Sequence, residues 1–234
     1  MDSLVTVVDD IRNFIYSGMI LLPLSIAGTM LIIGLFTANY AILFFLIGFL
    51  IITPFFSSVF NVILTSIFDN VFKTTTYDIC RINIPYSYIK SPNPSTTENV
   101  ACSPWVAMVS FFAGYIFTNG IQLFQRQSDE ETVPLDPDYV KIESKIQNRK
   151  SHAIISMISI ILFCIISMVY RHYSRCESTI GMVITALLFS IIGFGWYTLL
   201  SLVGNDRLSD IFGIANRLLP KSAMVDKPIA CVPH

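Results

Sequence analysis

Ala153-Ile-Ile-Ser-Met-Ile-Ser-Ile-Ile-Leu-Phe-Cys-Ile-Ile-Ser-Met-Val-Tyr170 contains no Asp, Glu, Lys, Arg or His. Four more stretches share that property: Ile15–Phe36, Ala41–Phe68, Trp105–Phe124 and Ile180–Val203. A helix rises 1.5 Å per residue, so about 20 apolar residues cross a hydrocarbon core roughly 30 Å thick. The pattern predicts an all-α polytopic membrane protein with about five spans. Composition agrees: the chain is 53% hydrophobic and 13% charged, with a mean hydropathy of +0.64, whereas a soluble domain carries about 25% charged residues. A formal net charge of −1 offers no broad attraction for nucleic acid.

The spans divide the chain. Residues 1–14 carry Asp2, Asp9 and Asp10 against Arg12, the reverse of a basic signal-peptide start. Leu4, Val7, Val8 and Ile11 recur there at helical spacing, which predicts an amphipathic segment. Residues 15–68 form a helical hairpin with its turn at Thr37–Tyr40, and residues 153–203 form a second around Arg171–Thr179. The single span 105–124 lies between them. It holds Asn119 and Gln122, so a shallow or re-entrant course is its alternative to a full crossing. Pro54, inside the second span, predicts a kink whose freed backbone groups are met by Ser57 and Ser58.

Five spans place the termini on opposite sides. Arg126, Lys141, Lys145, Arg149, Lys150, Arg207, Arg217, Lys221 and Lys227 outnumber Arg12, Lys73, Arg81, Lys90, Arg171 and Arg175. The positive-inside tendency therefore puts the side of loop 125–152 in the cytoplasm and loop 69–104 in a lumen. Cys80, Cys102 and Cys176 all fall on the lumenal side, as candidates for a disulfide or as three unpaired thiols. Loop 69–104 is rich in Pro, Ser, Thr and Tyr, and alternation at Ile82, Ile84, Tyr86 and Tyr88 allows a short strand or hairpin. Loop 125–152 reads as a charged connector, with Tyr139–Lys150 able to form a helix leading into the fourth span.

Beyond the last span, Leu208, Ile211, Phe212, Ala215, Leu218 and Leu219 trace one apolar stripe on a helix over 204–220. Arg207, Arg217 and Lys221 flank it, which suits a membrane surface or a partner. Residues 221–234, with Lys227 and Cys231, form an irregular extension that gains order by lying on a partner.

Chemistry is sparse. No ionisable group sits within a span, and the intramembrane polar residues Asn61, Asn119 and Gln122 read as interhelical hydrogen bonders. His172 with Cys176, or Cys231 with His234, make ligand pairs too small for a structural zinc site. No catalytic residues, metal site or cofactor are expected, and an enzyme is disfavoured. Ser110, Gly114 and Thr118 on the third span, and Ala186 and Ser190 on the fifth, form small-residue stripes that predict close helix packing.

The run Cys102-Ser-Pro-Trp-Val-Ala-Met-Val-Ser-Phe-Phe-Ala-Gly-Tyr-Ile-Phe-Thr-Asn-Gly120 resembles segments of multi-spanning virion membrane proteins of large icosahedral double-stranded DNA viruses. Asp210-Ile-Phe-Gly-Ile-Ala-Asn-Arg-Leu-Leu-Pro220 and Lys227-Pro-Ile-Ala-Cys-Val-Pro-His234 share that look. The quoted runs make up 38 of the 234 residues. It implies a minor capsid-associated structural protein of a viral inner membrane derived from host endomembrane, in which loop 125–151 and the C-terminal tail meet capsid proteins. The expected partners are the lipid bilayer, capsid or other membrane proteins and a second copy of the chain, without nucleic acid. An oligomeric channel or transporter and a cellular endomembrane adaptor are the alternatives.

Overall fold

A computed structural model of the chain describes residues 14, 18–68, 71–75, 97–125, 139–173, 177–204 and 206–211. The protein is an all-α helical bundle of the polytopic membrane class. Four helices are long and apolar enough to cross a bilayer: Tyr40–Ile67, Pro104–Gln125, Lys150–Tyr173 and Thr179–Gly204.

Within the first apolar stretch a turn at Leu21 interrupts the helix. Helix α1 is Leu22–Phe36; before it, Phe14 and residues 18–20 are also helical. Pro23 lies in the first turn of α1, where a missing N–H costs nothing. The turn into α2 (Tyr40–Ile47) is tight. Ala38 takes a left-handed φ of 48°. The Asn39 side chain then accepts a 2.9 Å bond from the Ala41 N–H and caps α2.

Ala41–Phe68 is not one uniform helix. After α2 the chain widens into a π-helical turn, Gly48–Ile52, and resumes as α3 (Thr53–Ile67). The disturbance lies N-terminal to Pro54, where that residue's missing donor disrupts the ladder. Two side chains meet the loosened carbonyls: Thr53 Oγ1 donates to Gly48 O at 2.9 Å, and Trp196 Nε1 donates to Phe44 O at 3.2 Å. Ser58 does donate back to Pro54 O at 3.0 Å, but Ser57 turns away toward Cys102.

In loop 69–104 the described strands are β1 (Lys73–Thr75) and β2 (Thr97–Asn99), an antiparallel pair. The alternating stretch Ile82–Tyr88 lies outside the described residues, as do residues 1–13.

Helix α4 (Pro104–Gln125) is one continuous helix of 22 residues, and it is the centre of the bundle. Helix α5 runs unbroken over Tyr139–Tyr173, so Tyr139–Lys150 forms the expected helix leading into the fourth span. Helix α6 (Thr179–Gly204) returns alongside α4. The core is an aromatic cluster around Phe45, whose ring lies 5.0 Å from Tyr115, 5.5 Å from Phe49 and 5.9 Å from Phe111. Tyr115 in turn meets Tyr197 edge-on at 5.2 Å.

Of the amphipathic helix expected over 204–220, the described residues cover only its start. Helix α7 spans only Asp206–Ser209, and Ile211 is a buried bend residue. The bundle holds the chain at Ser209 and Ile211, as described below. Phe212, Ala215, Leu218, Leu219, Lys227 and Cys231 lie outside the described residues.

Candidate functional site

The polar groups of the membrane region gather around α4 at three heights. At its N-terminal end, Asn61 of α3 turns its Oδ1 to the approach of α4. It accepts from the Ala101 N–H at 2.9 Å and the Cys102 N–H at 3.1 Å. Thr185 of α6 donates to the Ala101 carbonyl at 3.2 Å, and Ser57 donates to the Cys102 carbonyl at 3.4 Å. Two helices thus satisfy backbone groups that would otherwise be orphaned at the start of a buried helix. Gly181 allows this approach, since a Cβ there would lie 2.8 Å from the Ala101 carbonyl oxygen. Cys102 is a buried free thiol, so the structure contains no disulfide at Cys102. Burial pushes its pKa above the ordinary 9.0, with hydrogen bonds from Thr185 and Ser57 opposing. Cys80 and Cys176 lie outside the described residues.

Beside this cap, Trp105 is fully buried. Its indole N–H donates to Met19 O at 3.1 Å, which ties the chain before α1 to the top of α4. The Arg171 guanidinium lies 4.9 Å from the Trp105 ring centroid and forms a buried ion pair with Glu177 through Nε (3.1 Å) and Nη2. An Arg at the end of α5 is therefore desolvated, stacked and neutralised within one cluster. The sequence named Arg171 only as a loop charge. The signal available was its position at a span boundary, six residues before Glu177.

At mid-height the small-residue stripes meet. A Cβ at Gly114 would overlap the Ser190 backbone, and one at Gly193 would overlap the Phe111 carbonyl. Ser190 Oγ donates to Ser110 O at 3.4 Å across this crossing. Thr118 Oγ1 bonds back to Gly114 O at 2.7 Å. Ala186 packs higher up, against Trp105, Val106, Val109 and Met182. Gly193 completes the contact and was not part of the predicted stripe.

In the C-terminal half of α4, two side chains hold the returning chain. Tyr115 donates its hydroxyl to Ser209 O at 2.8 Å. In its hydrogen-bonding amide orientation, the fully buried Asn119 donates to Asp210 Oδ1 at 3.2 Å and accepts from the Ile211 N–H at 3.1 Å. Ser209 and Ile211 are buried, and Leu208 lies against Gly204. Asn119 thus bonds to α7's exit and not to another span, while Gln122 is exposed.

Among the described residues, no three His, Cys, Asp or Glu side chains converge as metal ligands. Asn61, Asn119 and Gln122 do not share a stripe: Asn61 belongs to one end of the bundle and the other two to the opposite end. The arrangement gives a rigid packing centre and a fixed exit point for the chain after Ile211. Comparisons with known protein families, with characterised proteins and with solved structures find no match.

Proposed function

We propose that this integral membrane protein is a structural anchor, tying an internal viral membrane to the protein shell above it through loop 125–151 and the C-terminal tail. The observation that carries this reading is the locked exit of the chain. Tyr115 and Asn119, both on the most buried helix, hold Ser209, Asp210 and Ile211. A pull on the segment that follows is therefore transmitted to the centre of the bundle and not to a peripheral helix. The first turns of α5 carry Lys141, Lys145, Arg149 and Lys150 ahead of its apolar stretch. The viral setting rests on the sequence resemblance alone. A channel gains no support from Asn61, Asn119 and Gln122, which do not line a common path.

The test is co-purification in mild detergent of the full chain against a version ending at Pro220. Retention of a capsid or scaffold protein only when residues 221–234 are present is the expected result. If both versions retain nothing yet raise ion flux in liposomes, the anchor reading fails and a channel replaces it.

A further inference from the structure

We infer that α3 is a side flap of the bundle, hinged at the π-helical turn Gly48–Ile52, whose outward swing uncovers the buried thiol of Cys102. This device does not depend on the anchor reading.

The hinge lies where the helical ladder is already disturbed. Pro54 has no N–H to give, and side chains of Trp196 and Thr53 meet the carbonyls of Phe44 and Gly48. Bending at this turn therefore disrupts fewer backbone bonds than bending elsewhere in a helix. The two sides of the turn differ in what they touch. Before it, Ala41, Ile42, Phe45 and Leu46 are buried, and Gly48 is closed in by Trp196 and Phe111. After it, only Thr53 and Ser57 of α3 are buried, and Phe55, Val62 and Ile67 are 63%, 64% and 64% exposed. A swing of α3 thus leaves the aromatic core in place and moves a lipid-facing helix through lipid.

What holds α3 shut is a short set of clasps beyond the turn. Asn61 accepts from the Ala101 and Cys102 N–H groups, Ser57 donates to the Cys102 carbonyl, and Phe60 meets Phe189 edge-on at 6.1 Å. Just past the end of α3, Phe72 is buried beside Gly181. Helix α3 contains neither Gly nor Ala, whereas α4 and α6 interlock backbone to backbone through Gly114 and Gly193. Ser57 Oγ also lies 3.8 Å from Cys102 Sγ, so a side chain that clasps α3 covers the thiol as well. Elements with few buried apolar contacts open at a lower free energy than the whole fold. Opening α3 gives Cys102, 2% exposed in the closed bundle, a path to the bilayer without unfolding α4 or α6.

The probe is N-ethylmaleimide, a small neutral thiol reagent, acting on the full chain reconstituted in phosphatidylcholine bilayers. Cys164 is replaced by Ala, and Cys80, Cys176 and Cys231 by Ser, so that Cys102 is the one thiol left. The expected result is slow but complete labelling of the folded protein. Asn61→Leu speeds it by about tenfold, and Ser57→Ala by about threefold. Pro54→Ala, which restores a backbone donor and stiffens the turn, slows it severalfold. Asn119→Leu, towards the opposite end of the bundle, leaves it within about twofold. Elution as a folded species checks each variant, and Ser57→Ala with Pro54→Ala keeps the test valid if Asn61→Leu does not fold. Absence of labelling in the folded chain overturns the proposal. So does a rate that Pro54→Ala leaves unchanged, which removes the hinge. A rate that Asn119→Leu raises as much as Ser57→Ala or Asn61→Leu overturns it too, because the opening is then global.

Discussion

Helices α4 and α5 are both long enough to span a bilayer, yet they answer to opposite rules. Helix α5 has the highest hydropathy of the four long spans, and only 17% of its apolar window is buried. Helix α4 has the lowest, and 67% of its window is buried. In water the most apolar helix would be the core. In a bilayer, lipid is as apolar as Leu, so hydrophobicity marks contact with lipid. Small and polar residues mark the protein interior, because they permit close approach and hydrogen bonds. Helix α4 carries Ser110, Gly114, Thr118 and Asn119 for those uses, while α5 presents Ile154, Ile155, Ile158, Ile161 and Ile165 outward.

The largest expected effect lies where α5 is fastened to α4. Glu177→Gln leaves Arg171 buried beside Trp105 without its counter-charge and should destabilise the bundle by about 3–5 kcal/mol. Pairing Glu177→Leu with Arg171→Met should cost much less. Thermal unfolding in detergent reads both. Equal losses would mean that the pair's individual charges do not govern this contact.

Next comes the α4–α6 crossing. Gly114→Ala should cost about 1–3 kcal/mol, because the new Cβ meets helix backbone that cannot rotate away. Gly195→Ala, two residues from Gly193 but facing open space, should be neutral or stabilise by up to about 1 kcal/mol. The same unfolding assay compares them, and equal cost at both positions would place the crossing elsewhere.

That pair also marks how far the sequence is legible. The spacing of Ser110, Gly114, Thr118, Ala186 and Ser190 follows from helical periodicity, so the stripes can be read directly. Which of Gly193 and Gly195 enters the contact depends on the rotation of α6 about its axis, which periodicity alone leaves open. Polar residues inside spans were visible, but their partners were not. Asn61 receives backbone N–H groups forty residues away in sequence, and Asn119 captures a segment some ninety residues on. The start of the helix expected over 204–220 shows the same thing: Asp206–Ser209 is helical, but Tyr115 and Asn119 hold the chain at Ser209 and Ile211, contacts that local pattern does not record. Pro54 announced a disturbed helix, whereas the π-turn at Gly48–Ile52 required Thr53 and Trp196 to be in place.

Asn119→Leu should cost about 1–3 kcal/mol, by leaving the buried Ile211 N–H unpaired. It should also speed proteolysis near Asp210 relative to the intact chain. Unchanged cleavage would show that Asn119 does not hold the exit. The smallest effect is at the α1–α2 turn. Ala38→Gly relieves a left-handed φ of 48° and should raise stability by about 0.5–1 kcal/mol, measured as a small upward shift of the unfolding midpoint.

The most direct measurement is lipid exposure, residue by residue, along α4 and α5. Single nitroxide labels at Val106, Val109, Tyr115 and Ile116, and at Ile155, Ile158, Ile161 and Ile165, would be tested for collision with oxygen dissolved in the bilayer. The result expected is low accessibility at all four α4 positions and high accessibility at the α5 positions. Comparable accessibility on the two helices would contradict the placement of the least apolar span at the centre of the bundle.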